Sequence, residues 1–74
     1  MKAVEIQSFA RMTLLRLPPA VRREIGSRLF AIAAGNLQDL IAYGGGVYSF
    51  TVKNGINIYI EDRTDRVIVF HIVR

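Results

Sequence analysis

Few residues of this 74-residue chain offer chemistry beyond packing. His71 is its one histidine, and an imidazole exchanges protons near neutral pH. There is no cysteine, so no disulfide or thiolate metal site is available, and a lone histidine does not make a structural zinc site. Neither a metal nor another cofactor is expected. The remaining polar inventory is cationic, ten Lys and Arg against six Asp and Glu, for a net charge of +4. Residues 1–36 carry six cations (Lys2, Arg11, Arg16, Arg22, Arg23 and Arg28) against two acids, whereas residues 37–74 balance at four against four. A basic half of this kind suits nucleic acid or an acidic protein segment. The same arginines read equally well as solvated helix faces that keep a small apolar protein in solution.

The elements that must position these groups follow from apolar spacing. Ala3 to Gln7 alternates, with Val4 and Ile6 on one side of a half-buried strand. Ser8 is a helix cap, and Ala10, Leu14 and Leu17 follow at helical spacing until Pro18-Pro19 ends the helix. Pro19 starts a second helix, with Val21, Ile25, Leu29 and Ile32 as its apolar stripe. Gly26 within it is either a weak point or a place of close helix contact. Gly35-Asn36 stops the helix, and the short break between the two helices makes them an antiparallel hairpin.

Leu37, Leu40 and Ile41 fit a short helical turn or an extended link. Gly44-Gly45-Gly46 has no lysine after it and is not a phosphate-binding loop, so it reads as a flexible lead-in to the sheet. From Val47 the period is two. Tyr48, Phe50 and Val52 share a face, Asn54-Gly55 marks a hairpin, and Ile56, Ile58 and Ile60 share the face of the returning strand. A turn over 62–65 leads to Val67–Val73, apolar on both sides and therefore central.

The expected fold is α+β, in the order β-α-α-β-β-β. An antiparallel helical hairpin packs on one face of a mainly antiparallel four-stranded sheet, and residues 1–74 form a single domain. On the last strand Ile68, Phe70 and Ile72 are the bulkier alternating set and should face the helices. His71 then lies on the open face near Thr51, Asn57 and Tyr59, unless a bulge intervenes. On this reading Tyr59 is the one exposed aromatic of the sheet, too few for a base-stacking platform. A chain this short buries only about 60% of its unfolded surface, so stability calls for tight packing, a second copy in a homodimer, or a partner chain. No apolar run is long enough to span a bilayer, and the acid at Glu5 does not suit a signal peptide. A soluble, cytoplasmic protein without a membrane partner is expected.

In order, these features resemble the RelE/ParE toxin superfamily of type II toxin-antitoxin and plasmid-stabilisation proteins. Three stretches carry the likeness: the helical hairpin from Leu14 to Ile25 with leucine-proline (Leu17-Pro18) at its break, the hairpin from Val47 to Tyr59, and the closing strand from Val67 to Val73. The resemblance implies a toxin made with a cognate antitoxin protein. RelE-type members cleave messenger RNA in the ribosomal A site by attack of a ribose 2′-hydroxyl on its own phosphate, and ParE-type members inhibit gyrase. Carried onto this chain, it implies His71 as general acid or base, with Tyr59 beside it and Lys53 and Arg74 holding the phosphate. Arg11, Arg16, Arg22, Arg23 and Arg28 are then the RNA contacts. The chain departs from the family where strand arginines are usual, with Ser49 and Thr51 before the turn and Asn57 after it. Those departures leave open a non-catalytic member that acts by protein binding. Structurally, His71 is then an ordinary strand histidine and Tyr59 a cross-strand packing residue.

Overall fold

The computed structural model describes residues 1–74. The order of elements is β1 (Ala3–Ile6), α1 (Ser8–Leu15), α2 (Pro19–Ala33), β2 (Ile41–Gly44), β3 (Val47–Val52), β4 (Ile56–Asp62) and β5 (Arg66–Val73). The sheet therefore has five strands rather than four, in the order β1-β5-β4-β3-β2. β1 runs parallel to β5 and every other pair is antiparallel. The expected α+β class holds, with two helices packed on a mainly antiparallel sheet and β5 at its interior.

The additional strand is the stretch whose period was ambiguous. Gly45 and Gly46 both have positive φ (63° and 82°), and Gly44 pairs with Val47 across them. This is the two-residue turn with left-handed backbone at both positions that matches the twist of a hairpin. Gly46 is further fixed because a Cβ there would lie 3.0 Å from the Asp62 carbonyl oxygen. The glycines are a tight turn, not a flexible lead-in. Asn54 and Gly55 also take positive φ (66° and 71°) and, with Lys53, close the loop between β3 and β4.

α1 starts after Gln7, and Ser8 is its first residue rather than its cap. Arg16 closes α1 before the prolines, and Pro19 opens α2. Val21, Ile25, Leu29 and Ile32 are all buried, so the α2 stripe faces the sheet as its spacing requires. Gly26 is exposed, and a Cβ there would meet nothing within 4 Å, which excludes close packing as its reason. No helix is long and apolar enough to cross a membrane.

The core lies between the helices and one sheet face. Pairing of Val52 with Ile56, Phe50 with Ile58 and Tyr48 with Ile60 puts both hairpin strands in the expected register, and all but the half-buried Tyr48 are fully buried. β5 departs from alternation. Tyr59 pairs with His71 but Ile60 pairs with Val69, so Phe70 is an extra residue in a β-bulge. Val67 and Val69 therefore join Ile72 in the core, whereas Phe70 stays half-exposed and Ile68 lies outside the main cluster. The bulge lets two stretches of opposite parity bury their side chains on the same side.

Candidate functional site

On the face turned away from the helices, Ile41, Ser49, Tyr59 and His71 form one continuous rung across four strands. The next rung is Thr51, Asn57 and Val73. His71 is exposed and its ring centroid is 5.8 Å from that of Tyr59. The structure thus brings together the two candidate residues that alternation placed on this face. Lys53 and Arg74 fall at one end of it, beyond the Thr51–Asn57–Val73 rung, and both are exposed.

The strand positions Ser49, Thr51 and Asn57, where the family resemblance leads one to expect arginines, are hydrogen-bonded neutral groups. Thr51 donates its hydroxyl to Asn57 Oδ1 at 2.6 Å. Ser49 is the one buried polar residue (2% exposed), and its Oγ shares a 2.8 Å hydrogen bond with the Tyr43 hydroxyl. That bond comes from β2, which the sequence did not reveal as a strand. Pairing shifts between Ala42 and Gly44, leaving Tyr43 as the extra residue of a second bulge. Its ring reaches over β3 to lie 5.9 Å from Tyr59. Phe70, the extra residue of the first bulge, approaches Tyr59 from the other side at 6.3 Å. Tyr59 is therefore the centre of an aromatic cluster rather than a lone exposed ring. Tyr43 and Phe70 are the members that sequence reasoning missed, Tyr43 because β2 was not read as a strand and Phe70 because a bulge breaks the alternation of β5. The Gly-rich turn beside Tyr43 was the available signal.

The helix arginines do not act as one group. Arg22 Nη1 donates to the carbonyls of Leu17 (2.7 Å) and Leu15 (3.3 Å), tying the end of α1 to the start of α2. Arg28 stacks over the buried Phe50 ring, its guanidinium carbon 4.8 Å from the centroid, on the helix side of the sheet. Arg11 and Arg23 are exposed. Arg16 alone reaches the candidate site. It lines, with Thr13, Phe9, Met12, Phe70 and His71, a groove of about 460 Å³ between α1 and the second half of β5. The groove exists because β1 pairs only with Arg66–Val69, leaving α1 as the neighbour of β5 beyond that point.

The nearby acids are paired. Arg63 donates to Glu61 at 3.0 Å, Arg66 to Glu5 at 3.1 Å, and Lys2 to Asp62 at 2.6 Å. His71 therefore has a phenol on one side and a guanidinium sharing its groove on the other. That set can exchange a proton and attract a phosphate.

No protein-family model and no curated protein sequence matches the chain. Solved structures do. One is the toxin RelE of E. coli in the free state, a mutant with two arginines replaced by alanine. It has a TM-score of 0.82 at 13% identity, over 99% of this chain and 82% of that one. Another is the intact E. coli RelBE toxin-antitoxin complex, with a TM-score of 0.82 at 14% identity, over 100% of this chain and 96% of the matched chain. At such identities the likeness is one of fold, and over nearly its whole length this chain has the fold of RelE.

Proposed function

We propose that the chain is the toxin component of a toxin-antitoxin pair and acts, like RelE-type toxins, as a ribosome-dependent endonuclease of messenger RNA. The observation that carries this reading is His71, exposed on the open face of a RelE fold, against Tyr59 and in one groove with Arg16. Cleavage by the neighbouring 2′-hydroxyl needs a group that accepts its proton, cations beside the crowded phosphate, and an acid for the leaving oxygen. His71 serves the proton transfers. Arg16 at the groove, and Lys53 and Arg74 at the end of the face, serve the phosphate. Messenger RNA on translating ribosomes is then cut when the protein is added, and His71→Ala abolishes the cut. Intact message with the wild-type chain would end the reading.

A partner is part of the same proposal. α1 has no acidic residue and exposes Phe9 (85%), Met12 and Leu15 beside Arg11 and Arg16. That surface suits an apolar segment carrying acids, as an antitoxin would supply, and the RelBE neighbour supports the same pairing.

A second reading is favoured by the Tyr43–Ser49 and Thr51–Asn57 bonds, which occupy the usual arginine positions with neutral pairs. In that reading the fold acts only by binding, to an antitoxin or to gyrase. Growth arrest that survives His71→Ala selects it, and a supercoiling assay then tests gyrase.

A further inference from the structure

The two bulges of the sheet each insert one aromatic residue, and both are aimed at the same ring. Tyr43 comes from β2 and Phe70 from β5; with His71 they surround Tyr59 at centroid distances of 5.9, 6.3 and 5.8 Å. None of the four rings is sealed in the core: Tyr43 and His71 are exposed, and Tyr59 and Phe70 are half-buried. Tyr43 remains 53% exposed although its hydroxyl is bonded to the buried Ser49. For a hydroxyl on β2 to reach Ser49 on β3 while the ring stands beside Tyr59 on β4, the ring must lie across the sheet. One broad side is then presented outward, and its two torsions are already fixed. A ring held this way loses little freedom when a planar group stacks on it.

We propose that Tyr43, Tyr59, Phe70 and His71 form a stacking platform for unpaired bases of single-stranded RNA, which binds such RNA without a ribosome. The proposal rests on the reading of this face as the RNA-facing one, and it does not require cleavage. Every base has a π-face, so stacking tolerates sequence while excluding duplex, whose bases are already stacked. Charge is complementary at both margins. Arg16 sits in the groove with Phe70 and His71, and Lys53 and Arg74 lie at the end of the face. Glu61, the acid on this face, is bonded to Arg63.

The test uses the full chain and a labelled oligoadenylate of about six nucleotides, a length within the site sizes of small stacking domains, with no ribosome present. Anisotropy should show saturable binding. With three tyrosines and no tryptophan, two of the three emitters lie in the platform, so intrinsic emission should fall on binding. Tyr43→Ala should weaken binding by roughly 5- to 150-fold, the usual range for one stacked base, with the loss unchanged at high salt. Tyr43→Phe should keep most of the affinity. Equal affinity of Tyr43→Ala and wild type, equal affinity for a blunt RNA duplex of matched length, or unquenched tyrosine emission would each overturn the proposal. The emission arm uses the unmodified chain and holds even if Tyr43→Ala does not fold. Ribosome-dependent cleavage that persists alongside such a result would leave the endonuclease reading standing, and RNA binding without cleavage would do the reverse.

Discussion

The two faces of the sheet are built by different rules. On the helix side, β3 and β4 pair without a register shift from Val47–Glu61 to Val52–Ile56, and Phe50, Val52, Ile56, Ile58 and Ile60 are buried beneath the helices. On the open side the defining features come from departures: one bulge in β2, another in β5, a left-handed glycine turn, and a buried serine that holds a tyrosine down. The first face is an arrangement that many sequences of the same pattern would reproduce. The second depends on single residues at single positions, which is how binding surfaces are commonly assembled on a regular scaffold.

The contrast is sharpest in stability. Ile58 is fully buried beneath the helices, and Ile58→Ala should cost about 2–5 kcal/mol through lost burial and the cavity left behind. A domain of this size has a total margin of roughly 4–11 kcal/mol, so the variant should be close to unfolding under ordinary conditions. Thr51 lies on the opposite face, exposed, and Thr51→Ala removes only its bond to Asn57. Its cost should be at most about 1 kcal/mol. Urea denaturation of the two variants measures the gap, and comparable losses would mean that the open face contributes to the core.

This difference also explains what could be read from the sequence. The α2 stripe, the β3–β4 hairpin and the interior place of β5 were legible because each is a periodic pattern with a clear stop: Pro19, Asn54-Gly55, or a strand apolar on both sides. His71 and Tyr59 were correctly placed on the open face by the same periodicity. β2 was not legible, since four residues ending at a glycine turn carry too short a pattern to separate from a link. β5 misled because Val67 to Val73 is apolar at nearly every position, so its parity rested on side-chain bulk, which held for Ile72 beyond the bulge but not for Ile68 before it or Phe70 within it. Arg22 and Arg28 misled in another way. Both were offered as RNA contacts, with nothing in the spacing to show that one would bind carbonyls and the other a phenylalanine ring.

Glycine substitutions separate the faces at an intermediate scale. Gly46→Ala puts a side chain on a residue with φ of 82° and a Cβ 3.0 Å from a backbone oxygen. The turn should lose about 1–3 kcal/mol, and β2 should detach and carry Tyr43 away from Tyr59. Gly26→Ala lies on the exposed side of α2 with nothing within 4 Å. It should instead stabilise by about 0.5–1 kcal/mol, because alanine costs less chain entropy in a helix. Thermal melts of both variants should therefore move in opposite directions, and a shift of the same sign would show that the glycine turn does not hold β2.

The Lys2–Asp62 pair joins the start of the chain to the end of β4 at 2.6 Å, with side chains 29% and 17% exposed. It is half-buried, so its coupling should exceed that of an exposed pair such as Glu5–Arg66, at about 1 kcal/mol against a few tenths. Two double-mutant cycles, one on each pair, measure this difference. Equal couplings would remove the distinction between an ion pair that braces the sheet edge and one that merely decorates it.

A modest stability effect is the most informative about the open face. Ser49 has neighbours from three directions: Ile41 on β2, Tyr59 on β4, and the Tyr43 hydroxyl above it. Its side chain is small enough for a tyrosine ring to pass over β3, and its hydroxyl gives that ring an anchor. Ser49→Ala keeps the space and removes the anchor. The cost in stability should be about 0.5–1.5 kcal/mol, the net worth of one hydrogen bond, because the Tyr43 hydroxyl can turn to water. Ser49→Val fills the space as well and should push the ring off Tyr59 with little further loss, since valine suits a strand. If the open face is organised as a surface for stacking, the chemical shifts of the Tyr59 ring should change more in Ser49→Val than in Ser49→Ala. Indistinguishable Tyr59 spectra in the two variants would mean that Tyr43 does not depend on the gap over Ser49, and that its place beside Tyr59 comes from the β2 bulge alone.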